Sequence, residues 1–125
     1  MKDKDLALIV DDDEELRDLI SFNLTREMGY QTHLVENTAA ARAWLEKHEP
    51  ALIILDVMMP GGNGLDLCRW IRAEPRLERV PVLMTSAIKD LETTQDALEL
   101  GAVDFMSKPF TLTTLKEKIG RLRRS

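Results

Sequence analysis

Asp11 and Asp12 close one short apolar run, Leu6-Ala7-Leu8-Ile9-Val10, and Asp56 closes another, Leu52-Ile53-Ile54-Leu55. Ser86 closes a third, Pro81-Val82-Leu83-Met84-Thr85, and Lys108 follows a fourth, Ala102-Val103-Asp104-Phe105-Met106. Short apolar runs bounded by turn signals fit strands buried on both faces, and in a parallel sheet their carboxyl ends share one edge. Asp56 taken alone is open to two readings, a loop-capping residue or a chemical group. The other strand-end residues bear on that choice. Three carboxylates in one cleft repel, so the cluster calls for a cation. Hard oxygen donors suit Mg²⁺ or Mn²⁺ and not zinc. Carboxylates, a divalent ion, a hydroxyl and a lysine are the parts of a phosphoryl-transfer site, in which a carboxylate can itself attack phosphorus.

The elements that must position these groups follow from the spacing. Leu16, Leu19, Ile20 and Leu24 recur at helical intervals after an Asp13 cap, and Gly29 ends that helix. Tyr30 to Val35 alternates as a second strand. Asn37-Thr38 can cap a second helix with the stripe Ala41, Trp44 and Leu45, stopped by Pro50. Pro60, Gly61, Gly62 and Gly64 turn the chain after Asp56. A third helix from Gly64 puts Leu67, Cys68 and Ile71 inward, with Arg69, Trp70 and Arg72 outward or flanking. Lys89 to Leu100 reads as a weaker fourth helix ended by Gly101. Thr111 or Thr113 caps a fifth, with Leu112, Leu115, Ile119 and Leu122 facing in. Five strands alternating with five helices make an α/β fold around a doubly wound parallel sheet with right-handed crossovers. Pattern alone does not order the strands.

The chain has 125 residues, 44% hydrophobic and 31% charged, the profile of one globular domain with a real core. Its formal net charge of −5 argues against a whole-domain nucleic-acid footprint. The basic end, Arg121-Leu122-Arg123-Arg124, reads as a last helical turn matched to the helix dipole. Cys68 is the single cysteine, so no intrachain disulfide forms, and it reads as a small buried hydrophobe. No apolar stretch reaches the roughly 18 residues needed to span a membrane, and Met1-Lys2-Asp3-Lys4-Asp5 lacks a signal-peptide core. A cytoplasmic protein without membrane contact is expected. His33 has no partner at ligand spacing, and His48 reads as a solvated residue or a favourable cation near a helix end.

Beyond what spacing establishes, the sequence closely resembles the receiver domains of two-component response regulators. The matching pieces are Val10-Asp11-Asp12, Leu55-Asp56-Val57-Met58-Met59-Pro60, Gly64, Pro81 to Ala87, Gly101-Ala102 and Lys108-Pro109-Phe110. Their order and spacing are specific, and they run from about Leu6 to Leu122. The resemblance implies a single receiver domain over residues 1–125, flavodoxin-like, with strand order 2-1-3-4-5. It implies Asp56 as phosphoryl acceptor. Asp12 would bind Mg²⁺ directly, Asp11 largely through water, and the Met58 backbone carbonyl would be a further ligand. Ser86 would hydrogen-bond the phosphoryl group, Lys108 would pair with it, and Phe105 would be the switch aromatic. The Lys108–Pro109 bond would be cis. Asp13 makes a third consecutive acid, so the ligand register rests on Val10. Val103 and the helix from Lys89 lack charges that many transcription-factor receivers use at a dimer face.

The function so implied is a phosphorelay switch. A sensor histidine kinase or phosphotransfer protein would phosphorylate Asp56, and the face of the fourth helix, fifth strand and fifth helix would change toward an output domain, a downstream protein or a second copy. Beyond its own phosphorylation and slow dephosphorylation, no enzyme activity is implied. Two rivals stand beside it. An aspartyl-nucleophile phosphatase needs an acid two residues after the nucleophile, where Met58 stands. A phosphorylation-independent interaction module would not need the intact acid, hydroxyl and lysine set.

Overall fold

The interiors of the first and third strands, Leu6 to Val10 and Leu52 to Leu55, are apolar at every position, not at alternate ones, so these strands must be covered on both faces. The computed structural model describes residues 3–59, 62–87 and 104–124, with isolated positions at 95 and 99. In chain order the elements are β1 (Asp3–Val10), α1 (Glu14–Met28), β2 (Gln31–Val35), α2 (Thr38–Leu45), β3 (Pro50–Asp56), β4 (Met58–Met59), β5 (Gly62–Asn63), α3 (Gly64–Ala73), β6 (Val82–Ser86), β7 (Asp104–Ser107) and α4 (Leu112–Arg124). The main sheet is β2-β1-β3-β6-β7, all parallel, which is the expected 2-1-3-4-5 order among its five strands. The helix expected over 89–100, the start of the fifth strand at 102–103 and the turn at 60–61 lie outside the described residues.

Alternate strand residues feed two cores. Leu8, Val10, Val35, Ile53, Leu55, Met84 and Phe105 pack with Ala41 and Leu45 of α2 and with Leu67, Cys68 and Ile71 of α3. Ala7, Ile9, Leu52, Ile54, Leu83 and Met106 pack with Ile20 and Leu24 of α1 and Leu115 and Ile119 of α4. Leu19 departs from its expected inward place. It is exposed, as is Phe22, while Asn23 is buried and donates from Nδ2 to the Leu19 carbonyl. The face of α1 is therefore rotated from the one its leucines suggest.

Local signals set the helix ends. Asp13 accepts from the Leu16 N–H, Asn37 from Ala40 and Asn63 from Leu65, each an N-cap. The Thr111 hydroxyl accepts from the Thr114 N–H, settling the choice of cap for α4. Gly29 ends α1 at φ 75°, where glycine avoids the Cβ penalty. Arg72 does more than flank α3. Its guanidinium donates to the carbonyls of Leu77, Glu78 and Val80 and ties down the loop into β6. Arg72→Met should lower the unfolding free energy by about 2 kcal/mol in urea melts, since carbonyls served by a charged donor lose it. An unchanged melt would mean the loop holds its place without the guanidinium.

His33 and His48 are not simply solvated. Trp44 lies between them, with ring centroids 4.7 Å and 4.2 Å away and both interplanar angles 11°. His48 Nδ1 also lies 2.9 Å from the Trp44 carbonyl. Burial, and then the neighbouring His48, lower the pKa of His33. The His33–Trp44 contact, between a strand and a helix, needs their tertiary docking, so spacing alone could not reveal it.

Candidate functional site

The chain leaves β1 for β2 on one side and enters β3 on the other, so the crevice between β1 and β3 is the switch point of the sheet. The register pairs Val10 with Leu55, and the next residues, Asp11 and Asp56, emerge there side by side. Asp11 and Asp56 are only 2% and 4% exposed, while Asp12 is exposed. Carboxylate oxygens of Asp11, Asp12 and Asp56 lie within 4.8 Å of one another. Asp13 stays out of this group and caps α1.

Lys108, delivered from the end of β7, reaches into the cluster. Its Nζ is 2.8 Å from Asp11 Oδ2 and 3.3 Å from Asp56 Oδ2. The Lys108 N–H donates to the Ser86 carbonyl at 2.7 Å, and the Lys108–Pro109 peptide is cis. Burial opposes the ammonium charge, yet the bonds to Asp11 and Asp56 outweigh it and raise the Lys108 pKa. Asp56 is pushed up to about 6. Burial is the chief cause; Lys108 pulls the other way and Asp11 adds to the rise. One lysine does not compensate two buried carboxylates. A hard divalent cation fits that charge and those donors.

Asp56 is held from behind as well. Val57 N–H donates to the Thr85 carbonyl and Gly64 N–H to the Val57 carbonyl, both at 2.8 Å. The Met58 N–H favours the charged form of the Asp56 carboxylate. The Met58 side chain points away and is 57% exposed. A Cβ on Gly64 would sit 2.2 Å from the Asp56 carbonyl oxygen, so glycine alone allows α3 to start this close. Ser86 is fully buried at the end of β6, paired in register with Ser107. Phe105 is 9% exposed and packs in the core with Met84 and Val57. The structure thus brings Asp11, Asp12, Asp56 and Lys108 together, places Ser86 on the adjoining strand end, and turns the Phe105 ring inward.

Two supports were not singled out in the sequence. Asn63, the α3 cap, carried a legible signal as an asparagine just before the helix. Arg17 donates from Nη1 to the Asp11 carbonyl at 2.8 Å, and nothing in its spacing separates it from a solvated helix residue. The β4–β5 pairing, Met58 with Asn63 and Met59 with Gly62, is too short to leave a periodic signal.

An acidic crevice holding a lysine, on this sheet order, defines a class, and comparison with known proteins agrees. Residues 7–120 match the family described as response regulator receiver domain, so this chain belongs to that family and is a receiver domain of two-component signalling. It is 43% identical over 117 residues to the transcriptional regulatory protein GltR of Pseudomonas aeruginosa, covering 94% of this chain and 48% of that protein. It is 34% identical over 116 residues to the phosphate regulon transcriptional regulatory protein PhoB of Rhizobium meliloti, covering 93% and 51%. The chain therefore spans about half the length of these curated relatives. Among solved structures, the signal receiver domain of a signal transduction histidine kinase from Syntrophus aciditrophicus superposes with TM-score 0.84 at 37% identity, covering 94% of this chain and 88% of that one. A chemotaxis response regulator of Vibrio cholerae superposes with TM-score 0.88 at 28% identity, covering 96% and 99%. Among the described residues, no helix is long and apolar enough to cross a membrane.

Proposed function

We propose that residues 1–125 form one receiver domain that works as a phosphorylation switch with Asp56 as the acceptor. The observation that carries this reading is the Asp56 carboxylate, buried at the sheet's switch point between Asp11, Asp12 and Lys108. An Asp56 carboxylate oxygen attacks the phosphorus of a phosphohistidine on a sensor histidine kinase or phosphotransfer protein. The new O–P bond forms as the P–N bond breaks, and the imidazole leaves with the electron pair. Mg²⁺ or Mn²⁺, held by Asp11, Asp12, Asp56 and the Met58 carbonyl, would offset charge on the phosphoryl oxygens. Lys108 turns from the bare carboxylates to the phosphoryl group, and the Ser86 hydroxyl donates a hydrogen bond to it.

The acyl phosphate carries a charge of roughly −1.5 to −2 near neutral pH, in place of the single negative charge of the carboxylate. Drawing Ser86 toward the phosphoryl group favours the inward Phe105 ring and biases a two-state equilibrium of the face that carries β7 and α4. That face then meets an output domain, a downstream protein or a second copy. Water resets the switch by slow hydrolysis of the acyl phosphate. Such a domain works in the cytoplasm, on no external substrate and without direct contact to nucleic acid. Met58, two residues after Asp56, offers no carboxyl group for a phosphatase general acid, which counts against that rival.

Incubation with Mg²⁺ and a small phosphodonor, followed by mass spectrometry of the intact chain, tests the reading. Wild type should gain the mass of one phosphoryl group and Asp56→Asn none. Equal gain by both, or none by wild type, would overturn it.

A further inference from the structure

Asp11 is fixed at four points. Its N–H continues the ladder to the Val35 carbonyl at 3.2 Å. Its Oδ1 accepts the Asp13 N–H at 2.9 Å, and its Oδ2 meets Lys108 Nζ at 2.8 Å. Its carbonyl is turned out of the sheet, because the chain bends there into α1, and it accepts from Arg17 Nη1 at 2.8 Å. Arg17 is well placed for that reach. Its own N–H bonds the Asp13 carbonyl at 2.9 Å and so anchors it in the first turn of α1. The guanidinium thus bridges the helix start to the residue that ends β1.

We infer that Arg17 is a positioning residue for the metal site, holding the Asp11 backbone so that its carboxylate meets Asp12, Asp56 and Lys108. The inference rests on the proposed divalent-cation site. A carboxylate one bond from the Cα follows any rotation of the backbone that carries it. With the carbonyl released, the Asp11 backbone keeps, among the described residues, only its N–H bond to Val35, and the carboxylate keeps its bonds to Asp13 and Lys108. Outer groups that orient metal ligands matter for affinity although they never touch the ion.

The arginine's other contacts explain why its effect falls on the site more than on the fold. Arg17 Nε is buried and has no hydrogen-bond partner among the described residues. A buried donor without a partner opposes folding, so replacing it with an apolar side chain of similar length offsets much of the lost carbonyl bond. Arg17→Met should therefore melt near wild type, while its metal site loosens.

Calorimetric titration of the metal-free chain with Mg²⁺ tests this directly, with urea melts and phosphodonor rates alongside. The dissociation constant of Arg17→Met should rise about tenfold. Its phosphorylation should need correspondingly more Mg²⁺ for half-maximal rate, yet reach the wild-type rate at saturation. Arg17→Lys, which keeps a charged donor, should recover most of the affinity. An unchanged dissociation constant in Arg17→Met overturns the inference, as does an Arg17→Lys that binds no better than Arg17→Met. Should Arg17→Met not fold, Arg17→Gln takes its place under the same two outcomes. Wild type that binds no Mg²⁺ at all overturns the proposed metal site itself, and this inference with it.

Discussion

Gly64→Ala is expected to destabilise the domain by about 3 kcal/mol or more and to slow its phosphorylation about a hundredfold. The added Cβ would lie 2.2 Å from the Asp56 carbonyl oxygen and 3.0 Å from both the Asp56 carbonyl carbon and the Val57 Cα. All three atoms are backbone, so no rotamer change relieves the overlap. Either α3 lifts off the sheet, breaking the Gly64 N–H bond to the Val57 carbonyl, or the Asp56-Val57 peptide moves. The first loses packing of Leu67, Cys68 and Ile71, and the second displaces the Asp56 carboxylate. Gly29→Ala separates overlap from ordinary strain. Gly29 has φ 75° with nothing near its missing Cβ, so that change should cost about 1 kcal/mol and leave the phosphorylation rate alone. Urea melts and phosphodonor kinetics on both variants read the contrast. Equal effects at the two positions would refute the role assigned to the Gly64 approach.

Asp56→Asn, beyond removing the proposed acceptor, should make the metal-free protein more stable at neutral pH. The folded-state pKa of Asp56 is raised from 3.8 to about 6. A raised carboxyl pKa means that folding favours the protonated form. The stability this contributes is complete below about pH 4 and is lost as pH rises through about 6. At pH 7.5 with chelator present, the wild-type carboxylate is charged and poorly compensated. Two pKa units correspond to roughly 3 kcal/mol, so Asn should gain roughly 1–3 kcal/mol there once its weaker bond to Lys108 is counted. The gain should vanish near pH 4. Saturating Mg²⁺ should shrink it too, since an ion that binds only the folded wild type stabilises it by mass action. An Asn variant less stable than wild type at pH 7.5, or a gain that is flat with pH, would contradict this electrostatic account.

Much of this molecule is legible in the order of its residues. Apolar runs such as Leu52 to Leu55 and polar breaks such as Asp11 to Asp13 encode strands, helix starts and the edge where chemistry collects. Strand propensity, helix caps and turn residues act locally, and local physics leaves local marks. The five residues Asp11, Asp12, Asp56, Ser86 and Lys108 were separable from background because buried strand ends do not otherwise need them. The order of strands came only through family resemblance, because apolar periodicity says which faces are covered and not which neighbours cover them.

Other features exist only in three dimensions. The exposure of Leu19 depends on how α1 is rotated over Ile9 and Ile54, which a helical stripe of leucines cannot specify. The stacking of His33 on Trp44 requires β2 and α2 to dock. The raised pKa of Asp56 comes from burial together with the distances to Lys108 and Asp11, residues 52 and 45 positions away in sequence. Arg17 is an ordinary helix residue until the bend after β1 brings the Asp11 carbonyl to its guanidinium. The residues of the candidate site can be picked out along the chain, because their chemical types are written there. Tertiary structure decided their charge states and what holds them still, because both depend on distances between residues far apart along the chain.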